Sequence, residues 1–202
     1  MVWYNSPMLG LSQSIVILIA IAGIFLYFPV NRVHAPGRWF FQDTWLDQYI
    51  PLVPWFLIAY LALFPYMIAT GITIFNTPYA MEFFTTIAIA SWTAALIWYF
   101  FPAGILRKRK LGPDFLSQMI VWIHENEPEN NTFPSSHVFY ALVCSYYLIL
   151  AFPQYSLVFA TIGGLISIST VLVKQHHFAD ILGGILWAGG SIGLAKYFLG
   201  II

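Results

Sequence analysis

Charge is what this sequence has least of. Only 8% of its 202 residues are Asp, Glu, Lys or Arg, against about a quarter in an ordinary soluble domain. That shortage excludes a water-exposed globule, a disordered chain and a coiled coil, each of which needs a solvated charged surface. Eight basic residues balance eight acidic ones, so no overall field draws in a nucleic acid. The single cysteine, Cys144, excludes a disulfide framework and any Cys-rich metal site. Within its apolar run it reads as an inert small hydrophobe. No basic residue precedes the first apolar run, so a cleaved signal peptide is not expected and the first span stays as an anchor. What the chain does have is hydrophobic side chains, 60% of the total, with 19% aromatic.

The placement of the missing charge gives the architecture. No Lys, Arg, Asp or Glu occurs in residues 1–31, 48–81, 83–106, 130–173 or 181–195. A membrane-crossing helix needs about 20 apolar residues to traverse a hydrocarbon core of about 30 Å. The window 130–173 is long enough for two such helices, with a turn at Phe152-Pro153-Gln154-Tyr155. The expectation is an all-α, polytopic six-helix membrane bundle with spans at 10–30, 52–75, 82–102, 136–152, 155–173 and 180–200. No repeat or separate soluble region breaks the chain, so residues 1–202 form a single membrane domain. Lys196, near the end of the last span, is expected to snorkel to the interface.

Six spans put the connections 31–51, 103–135 and 174–180 on one side of the bilayer. Seven of the eight basic and seven of the eight acidic residues fall on that side. Three constellations stand out there. Asn131-Thr132-Phe133-Pro134-Ser135-Ser136-His137 leads into span 4, and a Ser-capped helix start offers free N–H groups to an anion. Its plain structural alternative is a capped helix with an interfacial histidine. Lys174-Gln175-His176-His177-Phe178-Ala179-Asp180 leads into span 6. His176 and Asp180, four apart on one helical face, let the carboxylate accept the Nδ1–H and leave Nε2 basic, as a nucleophile or general base requires. Here the alternative is a charged collar anchoring span ends. Arg107-Lys108-Arg109-Lys110 follows span 3, either as the basic flank of a helix or as a source of phosphate ligands.

Span 4 leaves the polar face near Ser136 and span 5 returns at Lys174, so His137 and His176 are expected at one depth on neighbouring helices. His34 and His124 read as ordinary loop residues, and Glu125, Glu127 and Glu129 as a solvated loop rather than a metal site. The paired glycines 163–164, 183–184 and 189–190 read as close-packing devices on spans 5 and 6.

Together these residues resemble the integral-membrane type 2 phosphatidic acid phosphatase superfamily, which includes the vanadium haloperoxidases. Its members carry a basic Lys/Arg-Pro motif, then Pro-Ser-x-His, then Ser-Arg-x5-His-x3-Asp. Pro134-Ser135-Ser136-His137 is similar to the second motif, with Ser136 where Gly is commonest. Ser169 through Lys174, with His176 and Asp180, is similar to the third, with Thr170 at the Arg position. The Lys-Gln-His form at 174–176, and Asn131 ahead of Phe133-Pro134-Ser135, resemble a branch in which Lys takes over phosphate binding. His176 through Asp180 also resemble inositol phosphorylceramide synthases of the same superfamily. The first motif is the weakest match, since no Arg-Pro dipeptide occurs and the basic run ends Lys110-Leu111-Gly112-Pro113-Asp114. The resemblance covers about residues 100–185, the expected catalytic core.

The resemblance implies a metal-independent, two-step phosphoryl transfer on a membrane lipid phosphate, with no cofactor. His176 would be the nucleophile, Asp180 its orienting carboxylate and His137 the acid that protonates the leaving oxygen. Lys174, Ser135, Ser136 and one or more of Arg107, Lys108 and Arg109 would bind the phosphate. His177 is expected to point away or to line the entrance. Three functions stay open: a lipid phosphatase using water, a phosphotransferase using an alcohol acceptor, and a non-catalytic transporter or scaffold. Apart from the expected site cations, Arg32 and Arg38 stand against Lys196, which sets no membrane orientation.

Overall fold

The computed structural model describes residues 7–33, 40–41, 44–105, 107, 111–128 and 130–202. Nine helices occur among them. They are α1 (Pro7–Phe25), α2 (Tyr27–Val30), α3 (Phe56–Leu61), α4 (Leu63–Phe75), α5 (Ala80–Phe100), α6 (Phe115–Asn126), α7 (Ser136–Ala151), α8 (Ser156–Leu172) and α9 (Phe178–Phe198). Two dipeptides, β1 (Phe40–Phe41) and β2 (Ala103–Gly104), pair in parallel and tie the first connection to the third.

Five stretches are long and apolar enough to cross a membrane: Ser12–Val30, Phe56–Phe75, Ala80–Phe100, Pro153–Leu172 and Phe178–Phe198. Two of them are broken, and proline explains each break. Pro29 and Pro65 lack the N–H that would bond the carbonyl four residues back, and their rings clash with it. The helix accordingly interrupts at Leu26 and at Ala62. The outer faces are apolar, with Leu157 81% and Leu186 76% exposed. Such faces suit hydrocarbon and not water.

The fourth expected span differs. α7 is apolar but only 16 residues long, about 24 Å of helix, short of a full crossing. It is instead the central element, packed against α4, α5, α8 and α9, and Val138, Phe139, Ala141, Val143, Cys144 and Tyr147 are fully buried. Hydroxyls on its inner turns are satisfied by neighbouring spans. Tyr140 bonds Ser91 at 2.8 Å, Tyr147 bonds Thr86 at 2.8 Å, and Ser145 bonds Tyr66 at 2.9 Å. In a medium without water these pairs remove the cost of stranded polar groups.

Glycine lets the two motif-bearing helices close up. A Cβ on Gly184 of α9 would sit 2.6 Å from Val138 Cβ of α7, and one on Gly183 would overlap the Phe133 ring. Gly163 likewise packs on Ser145, whereas Gly164, Gly189 and Gly190 meet nothing within 4 Å, so only half of the paired glycines serve close packing.

At the end of the bundle away from both histidine motifs, Lys196 Nζ donates to Tyr146 Oη at 2.7 Å and lies 3.9 Å from Glu82 Oε1. Tyr147 Oη donates to the same carboxylate at 3.0 Å. Lys196 therefore finds a carboxylate inside the bundle rather than only the interface.

Candidate functional site

α9 begins at Phe178, and its first turn carries Asp180, which has no solvent exposure. Asp180 Oδ2 lies 3.2 Å from His176 Nδ1 and accepts the His177 N–H at 2.9 Å. The carboxylate thus faces Nδ1 of the imidazole, which leaves Nε2 as the nitrogen with a free lone pair when Nδ1 is protonated. Just upstream, α8 ends in a tight turn with Lys174 in the left-handed region (φ 57°). The Thr170 carbonyl accepts the N–H groups of both Gln175 and His176. The Thr170 carbonyl therefore shapes the turn that presents His176.

α7 begins with Ser135 as its N-cap and His137 in its first turn. The Ser135 N–H bonds the Asp180 carbonyl at 3.3 Å, so the two motifs are stitched backbone to backbone. The His137 and His176 rings approach to 6.3 Å between centroids at an interplanar angle of 56°. Both are 8% exposed. Among the described residues Ser135 Oγ, His137 Nε2 and Asp180 Oδ1 are buried without a hydrogen-bond partner. Of these, the Ser135 hydroxyl and the His137 ring nitrogen can donate to an oxyanion beside the helix N-terminus, whereas the Asp180 oxygen can only accept. Ser136, half-buried, is the first residue of that helix.

Arg107 has a buried side chain, 4% exposed; its Nη1 donates to the Glu127 carbonyl at 3.1 Å and lies 3.8 Å from Glu127 Oε2. Among the described residues its Nε has no partner. Burial pushes the Glu127 carboxyl above the usual glutamate range, against the opposing pull of Arg107 and His176. Lys108 and Arg109 lie outside the described residues, as does His34. Lys174 adopts a role that sequence spacing did not suggest. Its ammonium donates to the backbone carbonyls of Asp47, at 3.1 Å, and Ile50.

That contact exposes a second feature the motifs do not carry. Asp47 lies on a short 3-10 turn, Trp45–Gln48, in the first connection. Its Oδ1 accepts the Phe178 N–H at 2.7 Å, and its Oδ2 accepts the Thr44 N–H and hydroxyl, each at 2.7 Å. Partial burial pushes this carboxyl up, but the bonds from Thr44 and Phe178 pull harder, so it settles below the usual aspartate range. Asp47 therefore caps the helix that carries Asp180. The spacing Thr44-x-x-Asp47 is a capping signature visible in the sequence; its distant target is not.

A cavity of about 420 Å³ opens between this turn and the histidine loop, lined by Asp47, Gln48, Ile50, Lys174, His176 and His177. His177 lines the cavity, one of its two expected placements, with Nδ1 unpartnered among the described residues; His137 is not on that wall. His124 departs from its expected loop placement. It sits buried in the last turn of α6, with Nε2 3.1 Å from the Val173 carbonyl. It braces the α8 end beside Lys174. Asp114 caps α6, accepting the Ser117 N–H at 3.0 Å. Among the described residues no group of three or more His, Cys, Asp or Glu is placed to hold a metal. Glu129, one of the acidic trio, lies outside them.

No family model, curated protein or solved structure matches the chain.

Proposed function

We propose that this protein is a membrane lipid phosphatase of the type 2 phosphatidic acid phosphatase kind, acting through a phosphohistidine. The observation that carries the reading is the approach of two buried imidazoles, one oriented by a fully buried carboxylate. A nucleophile must be neutral while its acid partner is protonated; the Asp180 carboxylate orients the first, and the negative charge of the bound phosphate would keep the second protonated. In the first step the Nε2 lone pair of His176 forms a bond to phosphorus as the bond from phosphorus to the lipid oxygen breaks. That oxygen takes the proton from His137. In the second step water attacks phosphorus, its proton passes to His137, and the P–N bond breaks to release phosphate and free His176.

The α7 N-terminus, Ser135 Oγ and the Arg107 guanidinium are the groups best suited to hold the phosphoryl oxygens, and such fixed donors supply most of the barrier lowering. Lys174 would join them by releasing the Asp47 and Ile50 carbonyls. The six-crossing topology belongs to the same proposal, with α7 as the short fourth crossing. Transfer to an alcohol uses the same histidine pair, and the cavity beside His176 favours it by offering room for an acceptor larger than water.

The test is a substrate panel with the purified protein in detergent, comparing phosphatidate, prenyl diphosphate, phosphatidylglycerophosphate and phosphatidate plus an alcohol acceptor. Phosphate release that vanishes in His176→Ala and His137→Ala, both still eluting as monodisperse protein, supports hydrolysis. Retained turnover in His176→Ala removes the covalent route.

A further inference from the structure

His176 owes its orientation to Asp180, but His137 has no such carboxylate. Among the described residues no acidic group pairs with it and its Nε2 has no hydrogen-bond partner. What does touch the His137 ring is aromatic. Tyr60 of α3 stacks on it face to face, with centroids 3.9 Å apart and planes 13° from parallel. Phe64 of α4 meets it edge-on at 6.0 Å. These two residues lie on either side of the Ala62 break that Pro65 imposes, so both can approach the one imidazole. Tyr60 is 4% exposed, which fixes its ring in place.

We infer that Tyr60 is the positioning residue for His137, doing by stacking what Asp180 does for His176 by hydrogen bonding. This rests on the acid role assigned to His137 in the proposed function. A face-on ring holds the imidazole plane. Phenylalanine offers the same face, so the hydroxyl is not required. An aliphatic side chain offers no such face.

Leaving-group chemistry separates this role from a merely structural one. An alkyl phosphate expels a strongly basic alkoxide and needs the proton from His137; 4-nitrophenyl phosphate expels a stable phenolate and does not. For Tyr60→Leu, the single-turnover rate of phosphohistidine formation from n-octyl phosphate is expected to fall at least about tenfold, while the same rate from 4-nitrophenyl phosphate falls less than about threefold. Only the first step differs between the two in its need for the His137 proton. Tyr60→Phe is expected to match the wild type on both. Should Tyr60→Leu not elute as monodisperse protein, Tyr60→Met takes its place in the same comparison. Equal losses on the two substrates, or an undiminished rate from octyl phosphate, overturn the positioning role. His137→Ala is the control that keeps the two levels apart: it should show the same selectivity more strongly. Equal losses in that variant would remove the acid role itself, and the inference with it.

Discussion

Replacing Asp180 by asparagine keeps the shape of a fully buried side chain and removes its charge. Two hydrogen bonds converge on Oδ2, one from the His176 ring at 3.2 Å and one from the His177 N–H at 2.9 Å. A hydrogen bond to a charged group contributes about 1.5–3 kcal/mol, and asparagine retains part of each. It can also turn its amide toward Nδ1 and donate to it, which stabilises the tautomer protonated on Nε2 and silences the nucleophile. The combined loss is expected at about 3–4 kcal/mol of transition-state stabilisation, or roughly 10²–10³-fold in kcat. KM should change little, because Asp180 does not contact the phosphate in the proposed mechanism. Stability should also hold, since a neutral isostere in a buried site strands no charge. The assay is phosphate release from a short-chain phosphatidate at saturating concentration, with thermal unfolding in detergent as the control. A kcat within about threefold of wild type, in protein of unchanged melting temperature, would refute the orienting role of Asp180.

Asp47→Ala should lower stability by about 1 kcal/mol through loss of the cap on α9. Because the Asp47 carboxyl sits below its ordinary range, its contribution is present above the unfolded-state value and is lost as pH falls through the folded one. The gap between wild type and variant should therefore begin to close as pH falls to about 4 and keep closing as the folded carboxyl takes up its proton, read by thermal unfolding. Gly184→Ala should destabilise by about 1–3 kcal/mol, since its new methyl meets Val138 at 2.6 Å and must push α7 from α9. The same shift should lower kcat, whereas Gly189→Ala, with nothing within 4 Å, should be silent in both readouts. Activity should survive extended incubation with EDTA, because the proposed chemistry runs through imidazoles and cations; loss of turnover restored by a divalent metal would contradict it.

Much of the site is legible because its chemistry is local. His176 and Asp180 stand four residues apart, and spacing alone brings them together; it also places Ser135 at the start of α7, although its hydroxyl makes no capping bond there. The approach of His137 to His176 follows from two apolar legs joined by a turn at Pro153. The unread parts depend on contacts between distant segments. Nothing in the run 44–52 says that Asp47 will cap a helix beginning at Phe178, or that Lys174 will spend its donors on carbonyls of the same run. Tyr60 lies in an apolar span where an aromatic residue is unremarkable, and only the helix break beside Pro65 and the packing of α7 turn it onto His137. His124 shows the same limit, since its polar neighbours Glu125 and Asn126 suggest a loop while the helix buries it against Val173. α7 falls short as a span because hydropathy measures length of apolar sequence, whereas the helix itself starts only at Ser136.

The most direct measurement is a rapid-quench search for phosphate bound to the protein during turnover of labelled phosphatidate. The expected result is a base-stable, acid-labile phosphoryl group on His176, absent in His176→Ala and formed slowly in His137→Ala. Full turnover without any such adduct, or an adduct mapped to another residue, would contradict it.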